Sequence, residues 1–280
     1  MYLLGHFQTL QMDKKVVLIT GGSSGIGKSI GTYLTSKDFT VYGTTRNLDK
    51  YPNFDAFQLI ALDVKLPESV EAAVTKVIAA EGRLDILINN AGVGITGPIE
   101  ETPHEEILNV FDTNFHGPIH MMKAVLPQMR KQGGGVIINI TSIAGYMGLP
   151  FRGYYSATKG ALSLVTEALR METKNFGIRI SNLAPGDFAT NIAAGRYHAP
   201  VTKGSAYEEV YQKSLDLMNE HVDAGGDPMQ VAHKVHAIIE KRNPNIHYPV
   251  GEFMQRLSLL LKRILPGKLY EKLLTNHYKL

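Results

Sequence analysis

The chain contains 280 residues, of which 44% are hydrophobic and 20% are charged, a size and composition that suit one large α/β domain. Its net charge of +3 is too small to predict binding to nucleic acid, and the absence of cysteine excludes disulfides, a thiol nucleophile and a thiolate metal site. Because no apolar run approaches the roughly 18 residues of a membrane span and the N-terminus lacks a secretory pattern, we expect a cytoplasmic protein.

Short apolar segments alternate with amphipathic ones along most of the chain. After a predicted N-terminal extension at residues 1–11, residues 12–280 are expected to form a single domain. Strands are predicted at 16–20, 40–45, 57–62, 85–88, 136–141, 178–183 and 245–250, and helices near 25–36, 67–80, 104–131, 152–175 and 227–241. This alternation is typical of a doubly wound α/β fold, in which helices cover both faces of a parallel sheet, here of about seven strands.

Two stretches fall outside this alternation. Residues from about 187 to 226 contain small residues, prolines and one moderately amphipathic run but no strand pattern, which indicates a lid over the substrate or an insertion. Residues 252–280 carry six lysines and arginines against two acids, with apolar residues at helical spacing. This C-terminal helical segment is expected to pack on the substrate side or against another subunit. The alternative is peripheral contact with a membrane surface by a basic amphipathic helix.

The first predicted strand runs into the sequence TGGSSGIG at residues 20–27. Glycine allows a sharp turn and the close approach of backbone to a phosphate, and the N-terminus of the following helix offers free N–H donors to an anion. The spacing differs from the common G-x-G-x-x-G, so a plain strand-to-helix turn is the alternative for this loop by itself. Because ligands of open parallel sheets bind at the carboxyl ends of the strands, companion residues are expected at the other strand ends.

The second predicted strand ends without the carboxylate that usually binds the adenosine ribose of NAD, and Arg46 follows it at once. A guanidinium pairs with a ribose 2′-phosphate, which a carboxylate would repel. The sequence therefore favours NADP(H) over NAD(H), with a merely solvated surface arginine as the alternative.

Polar and small residues follow the next strands as well. Asp63 could accept a hydrogen bond from an adenine amine or simply cap a turn. Asn90, Ala91 and Gly92 follow the fourth strand, where small residues admit a flat cofactor and amides can brace the sheet. Asn114 lies within an expected helix, and because asparagine is a poor helix former, its side chain is expected to hydrogen-bond backbone and distort the turn.

The sequence YYSATKG at 154–160 raises the question of which tyrosine carries chemistry. Lys159 is four residues after Tyr155 and five after Tyr154, so on a helix the lysine shares a face with Tyr155. An unperturbed phenol has a pKa of about 10, and a neighbouring ammonium favours the ionised form. Tyr155 is therefore the candidate general acid, the alternative being a helix-surface pair, and Tyr154 is expected to pack or to line a pocket wall.

Together these motifs resemble those of the short-chain dehydrogenase/reductase family over nearly the whole stretch from Lys14 to Val250. The similarity is greatest to the 17β-hydroxysteroid and retinol dehydrogenase group. The motifs are TGGSSGIG at 20–27, NNAG at 89–92, Asn114, Ser142, YxxxK at 155–159 and PGxxxT at 185–190. The resemblance implies a Rossmann-type fold and a reaction in which hydride passes between NADP(H) and a carbonyl or alcohol carbon. Contacts with the cofactor are expected from Gly21, Ser23, Ser24, Gly25, Ile26, Gly27, Arg46, Asp63, Val64, Asn90, Ala91, Gly92, Tyr155, Lys159, Pro185, Gly186 and Thr190.

The family also implies a catalytic tetrad of Asn114, Ser142, Tyr155 and Lys159. Tyr155 would donate a proton to the developing alkoxide, and Ser142 would orient the substrate oxygen. Lys159 would bind the nicotinamide ribose besides favouring the phenolate, and Asn114 would hold a water that links Lys159 to solvent. Thr190 would bind the nicotinamide carboxamide.

No metal site is predicted, because the cofactor carries the hydride and the protein supplies orientation and electrostatics. His233 and His236 share one predicted helix but lack an acidic partner at suitable spacing, so they are expected to be surface or packing residues.

The expected substrate contacts are Ser142, Met147, Leu149, Tyr155 and Phe188. An apolar pocket with a single polar focus suits a hydrophobic ketone, aldehyde or alcohol such as a steroid or a retinoid. One alternative is a reductase of acyl thioesters or of small xenobiotic carbonyls. A second alternative, from another class, is a non-catalytic NADP(H)-binding sensor. Family habit implies a homodimer or a homotetramer.

Overall fold

The computed structural model describes residues 14–188, 195–223 and 226–280. The strands are β1 (Val16–Ile19), β2 (Thr40–Thr45), β3 (Gln58–Ala61), β4 (Ile86–Asn89), β5 (Ile95–Thr96), β6 (Gly135–Ile140), β7 (Ile178–Pro185), β8 (Tyr197–His198) and β9 (His247–Val250). The helices are α1 (Gly25–Thr35), α2 (Pro67–Glu81), α3 (His104–Phe111), α4 (Gly117–Lys131), α5 (Gly153–Glu172), α6 (Glu208–Asp223), α7 (Met229–Ile239), α8 (Phe253–Ile264) and α9 (Gly267–Tyr278).

Seven strands form one parallel sheet in the order β3-β2-β1-β4-β6-β7-β9. The order reverses beside β1, which places a ligand crevice at the carboxyl ends of β1 and β4. The predicted doubly wound α/β class is confirmed, and each of the seven predicted strands overlaps an observed one.

The core has two layers, one on each face of the sheet. On β1, Val16 and Leu18 face one layer while Val17 and Ile19 face the other, as the two-residue period of a strand requires. Helices α2, α4 and α5 contribute apolar residues to the first layer, and α1 and α7 contribute to the second. Burial on both faces explains why the strand sequences read as continuous apolar runs.

The helix predicted at 104–131 is interrupted, as the position of Asn114 indicated. A π-helical turn at Asp112–His116 separates α3 from α4. Asn114 is fully buried, and its side chain accepts from the Val93 N–H at 2.8 Å and donates to the Val93 carbonyl at 2.9 Å. The expected bond to backbone is therefore made, but to a neighbouring loop rather than within the helix.

Within the described residues of the stretch 187–226, the structure departs from the prediction because it contains a strand. Residues Tyr197–His198 form β8, which pairs in parallel with β5 at Ile95–Thr96. Two residues are too few for a strand pattern to stand out in the sequence. The amphipathic run in this stretch forms α6.

The C-terminal segment forms the predicted helices and packs beside the sheet edge. A capping box of Glu252 and Gln255 begins α8. Tyr270 of α9 is buried in a cluster with Ile143 and Met147, at the carboxyl end of β6. None of the helices in the described part of the chain is long and apolar enough to cross a membrane.

Candidate active site

Two adjoining clefts open along the carboxyl edge of the sheet. The first, here the loop cleft, has a volume of about 300 Å³ and lies over the ends of β1, β2 and β4. The second, here the tyrosine cleft, lies over β6, β7 and the start of α5. The two clefts share Ile26, Asn90, Gly92 and Val93 as lining residues, so they form one continuous groove.

The loop cleft brings together most of the residues predicted to contact a dinucleotide. Its lining includes Gly21, Ser23, Ser24, Gly25, Ile26, Arg46, Asp63, Val64, Asn90, Ala91 and Gly92. Gly27 does not line it but lies directly beneath the loop. A Cβ on Gly27 would collide with the Gly21 carbonyl oxygen and would lie 2.6 Å from Asn90 Nδ2. Gly27 therefore serves the close packing of α1 on the loop.

Asn90 braces this loop. Its Nδ2 donates to the carbonyl oxygens of Thr20 at 2.9 Å and Gly21 at 3.0 Å. The Thr20 hydroxyl in turn accepts from the N–H groups of Asn90 and Ala91, both at 3.0 Å. The Asn90 amide therefore braces the loop between β1 and α1.

The loop cleft fits a dinucleotide phosphate. Gly21 and Gly25 adopt φ angles of +64° and +53°, which are costly for residues with a Cβ. Ser24 precedes α1 without a side-chain capping bond, and the first turn of α1 contains no acidic residue. The first N–H groups of α1 are therefore not bonded by a capping side chain, and no acidic side chain of the same turn repels an anion. These groups can donate hydrogen bonds to an anion in the cleft.

Arg46 and Asp63 lie at the far end of the loop cleft. Arg46 follows β2 and is exposed, and Lys50 lines the same cleft, so the end of β2 is positive. Asp63 accepts from the Lys65 N–H at 3.0 Å through Oδ1 and so caps a turn, while the residue also lines the cleft. Both interpretations of Asp63 thus remain compatible with its position.

Tyr155 and Lys159 lie together in the tyrosine cleft, as their helical spacing predicts. Lys159 Nζ is 5.9 Å from the centroid of the Tyr155 ring and donates to the Ile140 carbonyl at 3.0 Å. Burial lowers the pKa of Lys159, and the charge of an ionised Tyr155 opposes that shift. Tyr154 instead donates its hydroxyl to the Ile99 carbonyl at 3.0 Å, in agreement with a packing role.

Gly92 leaves the space in which Lys159 and Asn114 approach each other. A Cβ at this position would lie 3.1 Å from Asn114 Oδ1 and 3.4 Å from Lys159 Nζ. Asn114 also donates to the Thr158 hydroxyl at 3.3 Å, so α5 and the π-helical turn are held together beside the lysine. Thr158 is a supporting residue that sequence reasoning missed.

Ser142 and the Pro185-Gly186 turn complete the described part of the tyrosine cleft. The Ser142 hydroxyl accepts from the Ala144 N–H at 3.1 Å and lies 3.4 Å from the Pro185 carbonyl. Phe188 lines the cleft and is largely buried. The predicted carboxamide contact, Thr190, lies outside the described residues.

A third space, here the outer cavity, adjoins the tyrosine cleft and has a volume of about 510 Å³. Met147 and Leu149 line it as predicted, together with apolar residues of α8 and α9. The expectation of a single polar focus is wrong, because Arg152, Asp187 and Arg196 line both the outer cavity and the tyrosine cleft. Tertiary structure brings these three residues together from separate loops.

Sequence reasoning overlooked both arginines. Arg152 precedes α5 directly and its Cζ lies 5.4 Å from the Tyr155 ring centroid. The sequence feature that could have indicated a role for Arg152 in the site is its position two residues before YYSATKG. Arg196 lies in the stretch taken as a lid, immediately before β8, and nothing in its sequence context indicated a role.

His233 and His236 pack as expected from their sequence. Their rings contact Tyr33 edge-on, at centroid distances of 4.6 Å and 5.7 Å.

Comparisons with known proteins agree with this geometry. Residues 15–200 match the sequence profile of the short chain dehydrogenases. The chain is 37% identical over 268 residues to the 3-ketodihydrosphingosine reductase of Bacteroides thetaiotaomicron, covering 95% of this chain and 99% of the relative. It is 31% identical over 272 residues to 17-beta-hydroxysteroid dehydrogenase type 1 of Homo sapiens, covering 90% of this chain and 82% of the relative.

Solved structures are similar over most of their length. A short-chain dehydrogenase from Streptomyces avermitilis gives a TM-score of 0.80 at 30% identity, covering 95% of this chain and 96% of that one. ElxO with NADP bound gives 0.69 at 28% identity, with coverages of 85% and 97%. A Burkholderia phymatum short chain dehydrogenase/reductase in complex with NAD gives 0.75 at 26% identity, with coverages of 90% and 92%. The chain therefore belongs to the short chain dehydrogenase family of oxidoreductases.

Proposed function

We propose that the protein is an NADP(H)-dependent enzyme that interconverts a ketone or aldehyde and an alcohol, with Tyr155 as general acid and base. The observation that carries the proposal is the meeting of Tyr155, Lys159 and Ser142 in a cleft continuous with the glycine-rich loop cleft. A relative named as a keto reductase and another named as a hydroxysteroid dehydrogenase support this carbonyl–alcohol chemistry.

The cofactor would lie along the groove formed by the two clefts. The loop at Gly21–Gly25 and the start of α1 would hold its pyrophosphate, and Arg46 with Lys50 would hold a ribose phosphate. Asp63 and Val64 would contact the adenine, and Asn90, Ala91, Gly92, Pro185, Gly186 and Thr190 would flank the nicotinamide half. When bound, NADP(H) supplies or accepts the hydride.

The side chains of the tetrad would handle the proton and the substrate oxygen. Tyr155 would transfer its phenolic proton to the oxygen, and the buried charge of Lys159 would stabilise the phenolate left behind. Ser142 would orient the same oxygen by a hydrogen bond from its hydroxyl. Asn114, fixed by Val93, would position a water beside Lys159 for proton exchange with solvent.

The outer cavity supports a hydrophobic substrate of steroid or retinoid size. Its volume of about 510 Å³ and its Met and Leu walls suit an apolar body of that class. Acyl thioesters and small xenobiotic carbonyls are the competing substrate classes.

The experiment is a substrate screen followed by one substitution. NADPH and NADH oxidation would be measured with steroid ketones, retinal, aromatic ketones and acyl thioesters. In Tyr155→Phe we expect turnover of any active substrate to fall by at least about 100-fold, because a general acid contributes that much, with NADPH affinity largely retained. Retained turnover would remove Tyr155 from the acid role. NADPH binding without turnover across the screen would favour the sensor alternative.

A further inference from the structure

The substrate side of the site carries positive charge that carbonyl chemistry does not need. Arg152 and Arg196 line both the tyrosine cleft and the outer cavity. The Arg152 Cζ is 5.4 Å from the Tyr155 ring centroid. Arg196 reaches the cavity over Gly94, where a Cβ would lie only 2.9 Å from Arg196 Cγ. Both side chains are half-buried, so their charges are partly withdrawn from solvent beside the reacting group.

Carboxylates of the described lining balance this pair only in part. Neither arginine forms an ion pair with a described carboxylate. Asp187 lines both spaces, but its Oδ2 accepts from Gln255 Nε2 at 3.1 Å. Glu252 also lines the outer cavity, and its side chain caps the first turn of α8. These hydrogen bonds orient the two carboxylates but leave their charges in place. The excess of positive charge therefore lies in the tyrosine cleft, where Asp187 is the one carboxylate in a described lining that includes Arg152, Lys159 and Arg196.

The two arginines are close enough to repel each other. Burial is the main cause that lowers the pKa of Arg196, and the positive charge of Arg152 is the second. The negative charges of Tyr155, when ionised, Asp187 and Tyr278, when ionised, act in the opposite direction. Arg152 also hydrogen-bonds the buried Tyr278 near the end of α9. Holding two like charges together in a half-buried space is unfavourable unless an anion joins them.

We infer that Arg152 and Arg196 bind an oxoanion of the substrate, such as a carboxylate, sulfonate or phosphate placed near the reacting carbonyl. The inference rests on the proposed function and narrows its substrate class. A planar guanidinium matches the geometry of such groups, and two of them converge on one space beside Tyr155. The remaining cavity wall includes Leu149, Leu261 and Leu274 and suits an alkyl or ring body. The substrate is thus an anionic amphiphile rather than a neutral steroid.

The test compares three ketones that share one alkyl chain and differ in one group. They are a medium-chain γ-oxo carboxylic acid, its methyl ester and its trimethylammonium analogue. We expect wild-type kcat/KM with NADPH to favour the acid over the ester by at least about tenfold, as a charge-assisted hydrogen bond supplies, and the cation to be poorest. In R152Q and R196Q the acid-to-ester ratio should fall to about one or below. Lys272→Gln removes an exposed charge outside the cavity and should leave the ratio unchanged.

Other outcomes would overturn the inference. They are an ester preferred by the wild type, an acid preference that survives in both variants, or an equal loss in Lys272→Gln. Reduced NADPH affinity in R152Q and R196Q with an unchanged acid-to-ester ratio would assign the arginines to the cofactor instead. If R152Q fails to fold because the bond to Tyr278 is lost, R196Q alone decides.

A binding measurement separates this inference from the proposed reaction. By calorimetry on the wild-type NADPH complex, decanoate should bind at least about tenfold more tightly than decanamide, and R196Q should abolish the difference. Equal binding of the two probes would overturn the inference even if ketone turnover is found. If no ketone is turned over, the proposed function fails while the calorimetric difference still decides the role of the arginines.

Discussion

At the residue scale, the proposed preference for NADP(H) depends on Arg46, which follows β2 directly and lines the loop cleft. In Arg46→Glu we expect the dissociation constant for NADPH to rise at least about tenfold more than that for NADH, because a carboxylate repels a ribose phosphate. Fluorescence titration with both cofactors measures the two constants. Arg242→Glu, an exposed charge reversal in the loop before β9, is the matched control. Equal losses for both cofactors would contradict the assignment.

Gly27 gives a second prediction at this scale. In Gly27→Ala the new methyl group would meet the Gly21 carbonyl oxygen and the Asn90 amide, which two hydrogen bonds hold in place. We expect the free energy of unfolding to fall by about 1–3 kcal/mol and NADPH affinity to fall with it. Urea denaturation measures the first effect. Gly267→Ala, where no atom lies within 4 Å of the added Cβ, should be neutral, and a Gly27→Ala protein of wild-type stability would refute the packing argument.

The residues that sequence predicted well are those whose role is fixed by local geometry. The YxxxK spacing on one helix placed Lys159 beside Tyr155, and the glycines after β1 marked a loop that requires positive φ angles. Arg152 and Arg196 escaped prediction because their meeting depends on how the loop before α5 and the loop before β8 fold against each other. No periodicity or motif encodes that contact.

At the element scale, β2 is tied to the end of α2 by a hydrogen bond between Tyr42 and Glu81. The Tyr42 hydroxyl donates to Glu81 Oε1 at 2.5 Å, and burial, then the hydrogen bond and the charge of Glu81, raises the pKa of Tyr42 to about 12. The unfolded chain loses this proton first, near pH 10. The contribution of the protonated Tyr42 hydroxyl to the free energy of unfolding is therefore complete below pH 10 and is lost as the pH rises from 10 to 12.

The Tyr42→Phe variant tests this pH dependence of the free energy of unfolding. Between pH 9 and pH 11, wild-type stability should fall by about 1 kcal/mol more than that of the Phe variant, since the Phe side chain cannot ionise. Guanidinium denaturation at each pH measures the difference. Parallel profiles for the two proteins would show that the Tyr42 hydroxyl is not protected from ionisation.

The helices α8 and α9 show why an amphipathic pattern can be assigned two roles. Leu261 and Tyr270 pack inward, towards Ile143 and Met147, as the packing interpretation predicts. Phe253, Leu260 and Ile264 remain 74%, 53% and 62% exposed. The sequence alone could not divide these apolar residues between an inner and an outer face.

Peripheral membrane contact through 252–280 stays a prediction, now located on the outer face of α8. With vesicles containing anionic lipid we expect cosedimentation at low salt that is lost at high salt, because basic residues of the segment neighbour the exposed apolar ones. Leu260→Ser combined with Ile264→Ser should reduce it severalfold, and zwitterionic vesicles serve as the control. No sedimentation at low salt would exclude this role.

At the scale of the whole molecule, the predicted homodimer or homotetramer can be tested on the outer surface of α5. Leu164 and Met171 lie two helical turns apart and are 67% and 72% exposed. We expect sedimentation velocity to show an oligomer in the wild type and a monomer in Leu164→Glu combined with Met171→Glu. Leu280→Glu, at the end of the chain, should not change the assembly. A monomeric wild type would contradict the prediction.

The architecture was more predictable than the substrate. Seven apolar strands joined by helices allow few arrangements, because parallel connections are short and right-handed. The positions of Gly92 after β4 and Ser142 after β6 then follow from the sheet order, and Tyr155 lies in the first turn of the helix that follows. The walls of the outer cavity instead come from the segment between β6 and α5, the loop before β8, α8 and α9, and the arrangement of these segments depends on packing that no single segment determines.

The way α8 is attached has a practical consequence. Gln255 bonds Asp187, and side chains at Gly186 or Gly251 would collide with it, so a single amide clamps the tail to the turn after β7. The helices α8 and α9, which supply part of the wall of the outer cavity, are thereby held in place relative to the sheet. Grafting the final helices of a relative at Gly251, with both glycines and the glutamine kept, should change the preference for the apolar body of a substrate, while selection for an anion stays with Arg152 and Arg196.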